Sequence, residues 1–252
     1  MAVKSVPSGI PQLDLILMDG VPRGSTLLVE GSTGSGKELF AKQFAAAGIG
    51  SENVVYFPTD ESDEDLITTM KRFNWKTNLK SVNIFTQYYE KILVRELMAN
   101  RYKQEGLSAR EITKFRGSAI DREKVNFLNE TVYEVSRVKP PFRVVIDSLD
   151  FFLTHYPYEE VLAAMQTIKA HVQYNKGLAL FTLTSDAFDR KIQTSMEAVS
   201  DIVFEMEIMK MASTYENHLL VKKVRNYPEK AAILIYAITE NGITPEQVAR
   251  IA

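Results

Sequence analysis

The chain contains no cysteine among its 252 residues, which excludes a disulfide framework and any site built on a thiol. It also lacks a strong charge of one sign, because its formal net charge is −2, so nothing attracts it overall to nucleic acid or to an anionic membrane. Long apolar runs are missing too, since a run such as Ala231 to Ile238 is too short to span a bilayer. With no apolar signal core after Met1, we expect a cytoplasmic protein without membrane insertion.

Histidine and tryptophan are scarce as well. His155, His171 and His218 lie in separate segments without the spacing of metal ligands, so we predict no zinc site. Trp75 follows a segment with a helical pattern, and we interpret it as a packing residue. Because 45% of the residues are hydrophobic, the chain can bury a sizeable core, and we expect residues 1–252 to form a single domain.

What the sequence does contain is a glycine-rich segment that matches the phosphate-binding pattern G-x-x-x-x-G-K-[ST] at every fixed position except the last. It consists of Gly31, Ser32, Thr33, Gly34, Ser35, Gly36, Lys37 and Glu38. Glycines in this pattern let backbone N–H groups turn toward phosphate oxygens, and the lysine reaches the terminal phosphates. A β-prone run precedes the segment and a helix-forming run follows it, which is the order that anion binding requires. Lys37 is therefore a candidate for both nucleotide binding and catalysis.

The last position of the pattern is unusual, because Glu38 stands where a hydroxyl normally holds Mg²⁺. A carboxylate about 4 Å from a charged phosphate oxygen is repelled by about 4 kcal/mol at an effective dielectric constant of about 20. We therefore expect Glu38 either to turn toward solvent, where the first turn of a helix favours an acid, or to join an altered metal arrangement. The sequence predicts nucleotide binding and casts doubt on efficient hydrolysis.

Strand-like apolar runs alternate with helical patterns along most of the chain, which predicts an α/β fold with a mainly parallel central sheet flanked by helices. We predict strands at 53–58, 82–85, 142–147 and 178–184, and helices at 62–73, 87–102, from 108, at 121–138 and at 158–175. Strands then follow in succession at 202–208, 218–225 and 231–238. The last two predict an antiparallel hairpin at the C-terminal end of the sheet.

Carboxylates follow two of the predicted strands. Asp147 closes an apolar strand, and we expect it to hold the hydration shell of Mg²⁺ at the metal site from a strand next to that of the loop. Asp60 and Glu61 follow another strand and would orient the attacking water at the same edge of the sheet. We prefer Glu61 as the base because its side chain is longer, and we expect one of the pair to cap the next helix. The residues from Thr184 to Asp186 either sense the terminal phosphate or form a turn.

These residues resemble the ATPase domain of KaiC, a branch of the RecA superfamily. The resemblance rests on residues 8–14, 20–24, the loop with Leu39-Phe40 and Gln43-Phe44, and residues 60–62, 145–149, 221–225 and 238–243. It implies a RecA-like P-loop NTPase fold, ATP and Mg²⁺ as cofactors, Leu39 among the nucleotide-binding residues, and Glu61 as the catalytic glutamate. It also implies a ring, typically hexameric, in which Lys223 and Arg225 reach the triphosphate of an adjacent subunit. Relatives with one such domain are common in archaea.

We therefore expect a homo-oligomer that binds ATP between subunits and hydrolyses it slowly with Mg²⁺ as a conformational switch. Two alternatives stay open at this point. One is a regulatory or scaffold protein that senses ATP without turning it over and passes its occupancy to a protein partner. The other is a DNA-repair accessory protein. The net charge of −2 and the lack of a basic stripe interleaved with aromatics argue against DNA binding, and we interpret the basic segment 91–124 first as a solvated helical face.

Overall fold

A computed structural model describes residues 4–17, 19–94, 97, 100, 101, 104, 125–211 and 214–250. The helices are α1 (Pro11–Ile16), α2 (Lys37–Gly48), α3 (Asp63–Arg72), α4 (Ile84–Tyr88), α5 (Phe127–Ser136), α6 (Leu149–His155), α7 (Tyr158–Asn175) and α8 (Arg190–Val199). The strands are β1 (Ser5–Val6), β2 (Val21–Pro22), β3 (Thr26–Gly31), β4 (Asn53–Pro58), β5 (Lys80–Ser81), β6 (Phe142–Asp147), β7 (Leu178–Thr184), β8 (Ile202–Met211), β9 (Thr214–Val224), β10 (Ala232–Thr239) and β11 (Gly242–Arg250). None of the helices of this part of the chain is long and apolar enough to cross a membrane.

Nine of the described strands form one sheet in the order β11-β10-β9-β8-β3-β7-β6-β4-β5. From β8 to β5 each neighbouring pair is parallel. The strands from β8 to β11 are joined by antiparallel pairs. The expected architecture, a mainly parallel sheet with antiparallel C-terminal strands, is confirmed.

Both faces of the parallel part of the sheet are buried, as in β3 and β6, where every residue is buried. Successive residues of a strand point to opposite faces, so these strands contribute to two cores. In β3, Leu27 and Val29 belong to a core that includes Phe40 and Phe44 of α2. Leu28 belongs to the core on the other face, which is built with α5, α6, α7 and α8. Continuous apolar runs rather than alternating ones are typical of such doubly covered parallel strands. The same packing fixes the direction in which α2 leaves the loop.

Two predicted segments are wrong in part. The strand predicted at 82–85 is only the short β5 at Lys80–Ser81, and a helix begins at Ile84. The reason is Asn83, whose side chain accepts a hydrogen bond from the Thr86 N–H at 2.7 Å and caps α4. The helix predicted at 121–138 begins at Phe127 behind the cap of Asn126. The helix predicted from 108 and most of the basic segment 91–124 lie outside the described residues.

The strand order corrects one further expectation. Asp147 was expected on a strand next to β3, but β7 lies between β3 and β6. From β3 the chain therefore passes over the positions of β7 and β6 to reach β4, and it returns beside the loop strand with β7. β7 consequently contributes its own polar side chains between the loop and the carboxylate of β6.

Candidate functional site

The glycine-rich loop lies between the carboxyl end of β3 and the amino end of α2. Gly36 has a left-handed conformation with φ of 82° and stands directly before Lys37. At Gly31, a Cβ atom would lie 2.4 Å from the Ser35 Oγ atom, so the loop closes only around a glycine. The Ser35 side chain is fully buried, and its hydroxyl has no hydrogen-bond partner among the described residues. A buried hydroxyl without a partner is costly, and a ligand in the loop would supply one.

The loop lysine is paired within its own chain. The Lys37 Nζ atom lies 2.6 Å from the Glu38 Oε1 atom, and the Lys37 side chain is buried while Glu38 is partly exposed. Glu38 therefore turns toward the lysine of the loop instead of extending freely into solvent. A nucleotide that binds here has to compete with Glu38 for the ammonium group.

Asp147 lies at the end of β6 with its carboxylate already engaged. Its Oδ1 atom accepts a hydrogen bond from the Thr182 hydroxyl at 2.5 Å, and its Oδ2 atom accepts one from the Tyr56 hydroxyl at 2.6 Å. The residue is 2% exposed. Burial, and after it the charge of Asp147, raises the pKa of Tyr56 well above its usual value. Tyr56 thus stays a hydrogen-bond donor to this carboxylate.

Asp60 and Glu61 follow β4 and lie at the same edge of the sheet as Asp147. Burial raises the pKa of Asp60, the negative charges of Asp147 and Glu38 raise it further, and Lys42 and Lys37 oppose the shift. Burial likewise raises the pKa of Glu61, and Lys42 opposes this. These interactions show that the predicted carboxylates and the loop do converge.

Neither Asp60 nor Glu61 caps the following helix, contrary to expectation. The cap of α3 is Ser62, whose Oγ atom accepts a hydrogen bond from the Asp65 N–H at 3.1 Å. Both carboxylates are therefore free of that structural task. At the strand end, Thr184 donates to Asp150 and holds the turn, and Ser185 donates its N–H to the Gly31 carbonyl at 3.0 Å. The expected role in sensing the terminal phosphate stays a prediction.

Sequence reasoning missed one residue of this site, Lys42. Its side chain is 5% exposed, and its Nζ atom lies 2.8 Å from Glu61 Oε1 and 3.8 Å from Asp147 Oδ2. The available signal was a lysine inside a helix whose neighbouring positions, such as Phe40 and Phe44, are apolar and buried. A lysine at such a position requires a partner with opposite charge.

Lys223 and Arg225 lie at the edge of the sheet opposite to the loop. Lys223 pairs with Val203 near the start of β8, whereas the loop end of β3 pairs with Met206. The Lys223 ammonium donates to the backbone carbonyls of residues 197, 198 and 200 at the end of α8. Arg225 donates to the Asp201 carboxylate at 3.0 Å. Neither side chain is placed on the loop of its own chain, and their role toward a neighbouring subunit stays a prediction.

The C-terminal strands cover the loop from another side. The Tyr236 hydroxyl of β10 donates a hydrogen bond to the Ser35 carbonyl. Burial, followed by the charge of Glu38, raises the pKa of Tyr236, which keeps this hydroxyl protonated. The Gln43 amide of α2 donates to the carbonyls of Gly9 and Ile243 at 2.8 and 3.3 Å and accepts from the Ile243 N–H at 2.8 Å. The loop and α2 are thus tied to β10 and β11.

The side chains present do not fit a Mg²⁺ site of the usual pattern. Of the two predicted ligands, Glu38 is paired with Lys37, and both oxygens of Asp147 accept hydrogen bonds from hydroxyl groups. Lys42 lies beside the same carboxylate. Within the described ranges, no group of three or more histidine, cysteine, aspartate or glutamate residues is arranged to hold a metal ion.

The strand order, the glycine loop leading into a buried lysine, and the carboxylates after β4 and β6 define a RecA-like P-loop protein. A profile described as "ATPase: KaiC" matches residues 6–247. The chain therefore belongs to the KaiC ATPase family. This membership supports a nucleotide as the ligand of the loop.

Individual proteins that are similar to this chain include KaiC and a KaiC-like protein. The circadian clock oscillator protein KaiC of Thermostichus vulcanus is 40% identical over 82 residues, which cover 32% of this chain and 15% of that protein. The chain thus spans a small part of the length of that relative. A UPF0273 protein of Aeropyrum pernix is 25% identical over 269 residues, covering 99% of this chain and 97% of the relative. The crystal structure of a KaiC-like protein from Pyrococcus horikoshii has the same fold, with a TM-score of 0.67, 22% identity, and coverage of 98% and 100% of the two chains.

Proposed function

We propose that this protein binds ATP at residues 31–38 and acts as a nucleotide-dependent conformational switch in a homo-oligomer, without efficient turnover. The observation that carries this proposal is the ion pair of 2.8 Å between Lys42 and Glu61. It engages Glu61, which we prefer as the base because its side chain is longer than that of Asp60. This geometry favours the first alternative, ATP sensing without turnover, over the slow hydrolysis that we expected from the sequence.

Binding is supported by the loop itself. It leads directly into α2 at Lys37, and the backbone N–H groups at a helix N-terminus that lack a partner within the helix bind anions in other proteins. The buried Ser35 hydroxyl has no partner among the described residues, and Lys37 lies in the first turn of the helix. When phosphates displace Glu38 from Lys37, one charge-assisted contact is exchanged for another.

Poor turnover follows from the way the carboxylates are engaged. The ion pair with Lys42 holds the Glu61 carboxylate in one position and opposes the rise that burial causes in its pKa. Phosphoryl transfer depends almost wholly on positioning and electrostatic stabilisation, so a misplaced base is costly. Glu61 has to leave Lys42 before it can orient a water molecule. The protein is then suited to hold ATP and to report its presence.

Assembly between subunits is the second part of the proposal. Arg225 lies at the edge of the sheet opposite to its own loop, and 55% of its side chain is exposed although it contacts Asp201. The resemblance to KaiC implies that this basic pair reaches the nucleotide of the adjacent subunit. An exposed arginine distant from its own loop fits that role.

Slow hydrolysis, the expectation from sequence, is the second candidate. It is favoured by Asp60, a second carboxylate beside Glu61 whose pKa is raised by burial and then by the charge of Asp147. A single-turnover assay with radiolabelled ATP distinguishes the two candidates. Release of phosphate by the wild-type protein that is abolished in Glu61→Gln would establish hydrolysis.

ATP binding at the loop is tested with the Lys37→Ala variant. We expect the affinity for ATP to fall at least tenfold, about 1.4 kcal/mol, because a charge-assisted contact with the phosphates is lost. Isothermal titration of the folded variant measures it. Lys71→Ala, at an exposed position of α3, is the control and should bind like the wild type. Equal affinities of Lys37→Ala and wild type would remove the basis of the proposal.

A further inference from the structure

One buried lysine of the site has no counterpart in the phosphate-binding pattern. Lys42 lies four residues after Glu38 in α2, and residues with this spacing are neighbours on one face of a helix. Burying an ammonium group is costly unless opposite charges surround it. Here Glu61 and Asp147 provide them, at 2.8 and 3.8 Å. The lysine therefore lies between the two carboxylates that the fold brings to this edge of the sheet.

These two carboxylates have separate tasks in a P-loop protein of the usual pattern. A divalent cation lies beside the aspartate and the hydroxyl and offsets the charge of the phosphates, while the other carboxylate orients water. Here Glu38 adds one negative charge to the site and Lys42 adds one positive charge. The summed charge of the protein side chains therefore equals that of the usual pattern without its cation, but one positive charge now lies beside Asp147.

We infer that the Lys42 ammonium takes the electrostatic place of the divalent cation, so that this protein binds the triphosphate of its nucleotide without Mg²⁺. The inference rests on the proposed function, because it concerns the nucleotide of the same loop. It agrees with the engagement of both Asp147 oxygens by Tyr56 and Thr182. It also gives a reason for a lysine in the buried part of α2, where packing alone favours an apolar side chain.

The test is an equilibrium titration of the full chain with a fluorescent, non-hydrolysable ATP analogue, in excess EDTA and in excess MgCl₂. We expect the wild-type dissociation constants in the two buffers to agree within about threefold. In Lys42→Met, binding in EDTA should weaken at least about tenfold and recover with MgCl₂, because unpaired carboxylates then repel the phosphates. Lys42→Arg, which keeps the charge, should behave like the wild type. Lys71→Met, at an exposed position of α3, controls for loss of a lysine.

Lys42→Met leaves the half-buried Glu61 without its partner, so thermal unfolding must first show that the variant is folded. The double variant Lys42→Met/Glu61→Gln removes both charges of the pair, and the remaining charge of Asp147 should still make its binding dependent on MgCl₂. A wild-type affinity that falls more than about tenfold in EDTA would overturn the inference. The inference would also be overturned if the affinities of Lys42→Met and of the double variant were the same in EDTA and in MgCl₂. Failure of the analogue to bind in either buffer would instead overturn the proposed function, and this inference with it.

Discussion

The hydroxyl of Tyr236 donates a hydrogen bond to the backbone carbonyl of Ser35, although 201 residues separate the two in the chain. Tyr236 lies on β10, between β9 and the edge strand β11, and Ser35 lies inside the phosphate-binding loop. The curvature of the loop is therefore supported by a part of the fold that the loop motif does not include.

Tyr236→Phe tests this support. The change keeps the ring and removes the hydrogen bond, so the free energy of unfolding should fall by about 1 kcal/mol and ATP should bind about two- to tenfold more weakly. Urea unfolding and ATP titration measure the two effects. Tyr174→Phe, at a position that is 87% exposed, should change neither. If Tyr236→Phe lowers stability alone, the hydroxyl does not shape the loop for its ligand.

Glu38→Thr restores the hydroxyl of the phosphate-binding pattern and frees Lys37. We expect it to raise the rate of ATP hydrolysis in MgCl₂ several-fold, because positioning dominates this chemistry. Combination with Lys42→Met, which also releases Glu61, should raise it further, and Glu61→Gln should lower it in either background. Phosphate release under single-turnover conditions measures the rates of these variants and of the wild type.

Glu38→Gln is the matched control for that experiment, since it removes the charge without restoring the hydroxyl. It should free Lys37 and strengthen ATP binding with a smaller gain in rate. A slower Glu38→Thr protein that still binds ATP would show that Glu38 takes part in the reaction, and the view of the loop as impaired would have to be abandoned.

Arg225→Ala tests action between subunits. With a non-hydrolysable ATP analogue at high protein concentration, we expect the wild type to have a solution mass that is a multiple of the single chain. The variant should shift toward the monomer, because its contact with the neighbour's phosphates is lost. Light scattering coupled to size-exclusion chromatography measures the mass. Lys210→Ala, at an exposed position of β8, should assemble like the wild type, and a wild type that stays monomeric would contradict the proposed assembly.

The raised pKa of Glu30, which lies in the strand before the loop, predicts that the stability of the protein depends on pH. Burial, with Glu197 as the next cause, raises its pKa from 4.5 to about 7, although Lys222 lies 3.3 Å away. Between these values the folded protein holds a proton that the unfolded chain has released. The contribution of this group to stability is therefore present below pH 4.5 and is lost as the pH rises to about 7.

Glu30→Gln should remove this loss. Relative to the variant, the free energy of unfolding of the wild type should fall by up to about 3 kcal/mol between pH 5 and pH 8. Urea unfolding at several pH values measures the difference between the two proteins. Glu64→Gln, at an exposed position of α3, should follow the wild type. A difference between Glu30→Gln and wild type that does not vary with pH would contradict the assignment.

Much of the parallel sheet was predictable from local signals. Apolar runs that end at Pro58, Asp147 and Thr184 match their strands to the residue, as does the helix that ends at Asn175 before Gly177. β11 was not predicted as a strand, because its sequence is mostly polar and contains Pro245. That proline pairs with Tyr236, next to a register shift between β10 and β11, at the edge of the sheet, where a missing N–H is tolerated.

Local motifs predicted which residues form the candidate site, but not how their side chains pair. The loop and the positions of Asp60, Glu61 and Asp147 after strands follow from local patterns, and the structure brings them together. The pairs of Lys42 with Glu61 and of Glu38 with Lys37 depend on side-chain directions that the packing of α2 sets. Spacing along the chain could not distinguish these pairings from solvent-facing charges.

The amide of Gln43 joins three segments at once: helix α2, the Gly9 region and the start of β11. Since α2 begins at the lysine of the loop, any tilt of the helix on nucleotide binding must break these hydrogen bonds or move both of the other segments. Thermodynamic linkage makes this relation reciprocal. If bound nucleotide changes the affinity of the β10–β11 hairpin for a ligand, that ligand changes the affinity of the loop for nucleotide by the same factor. A molecule that pulls on β11 would therefore act as an effector of the loop without approaching it.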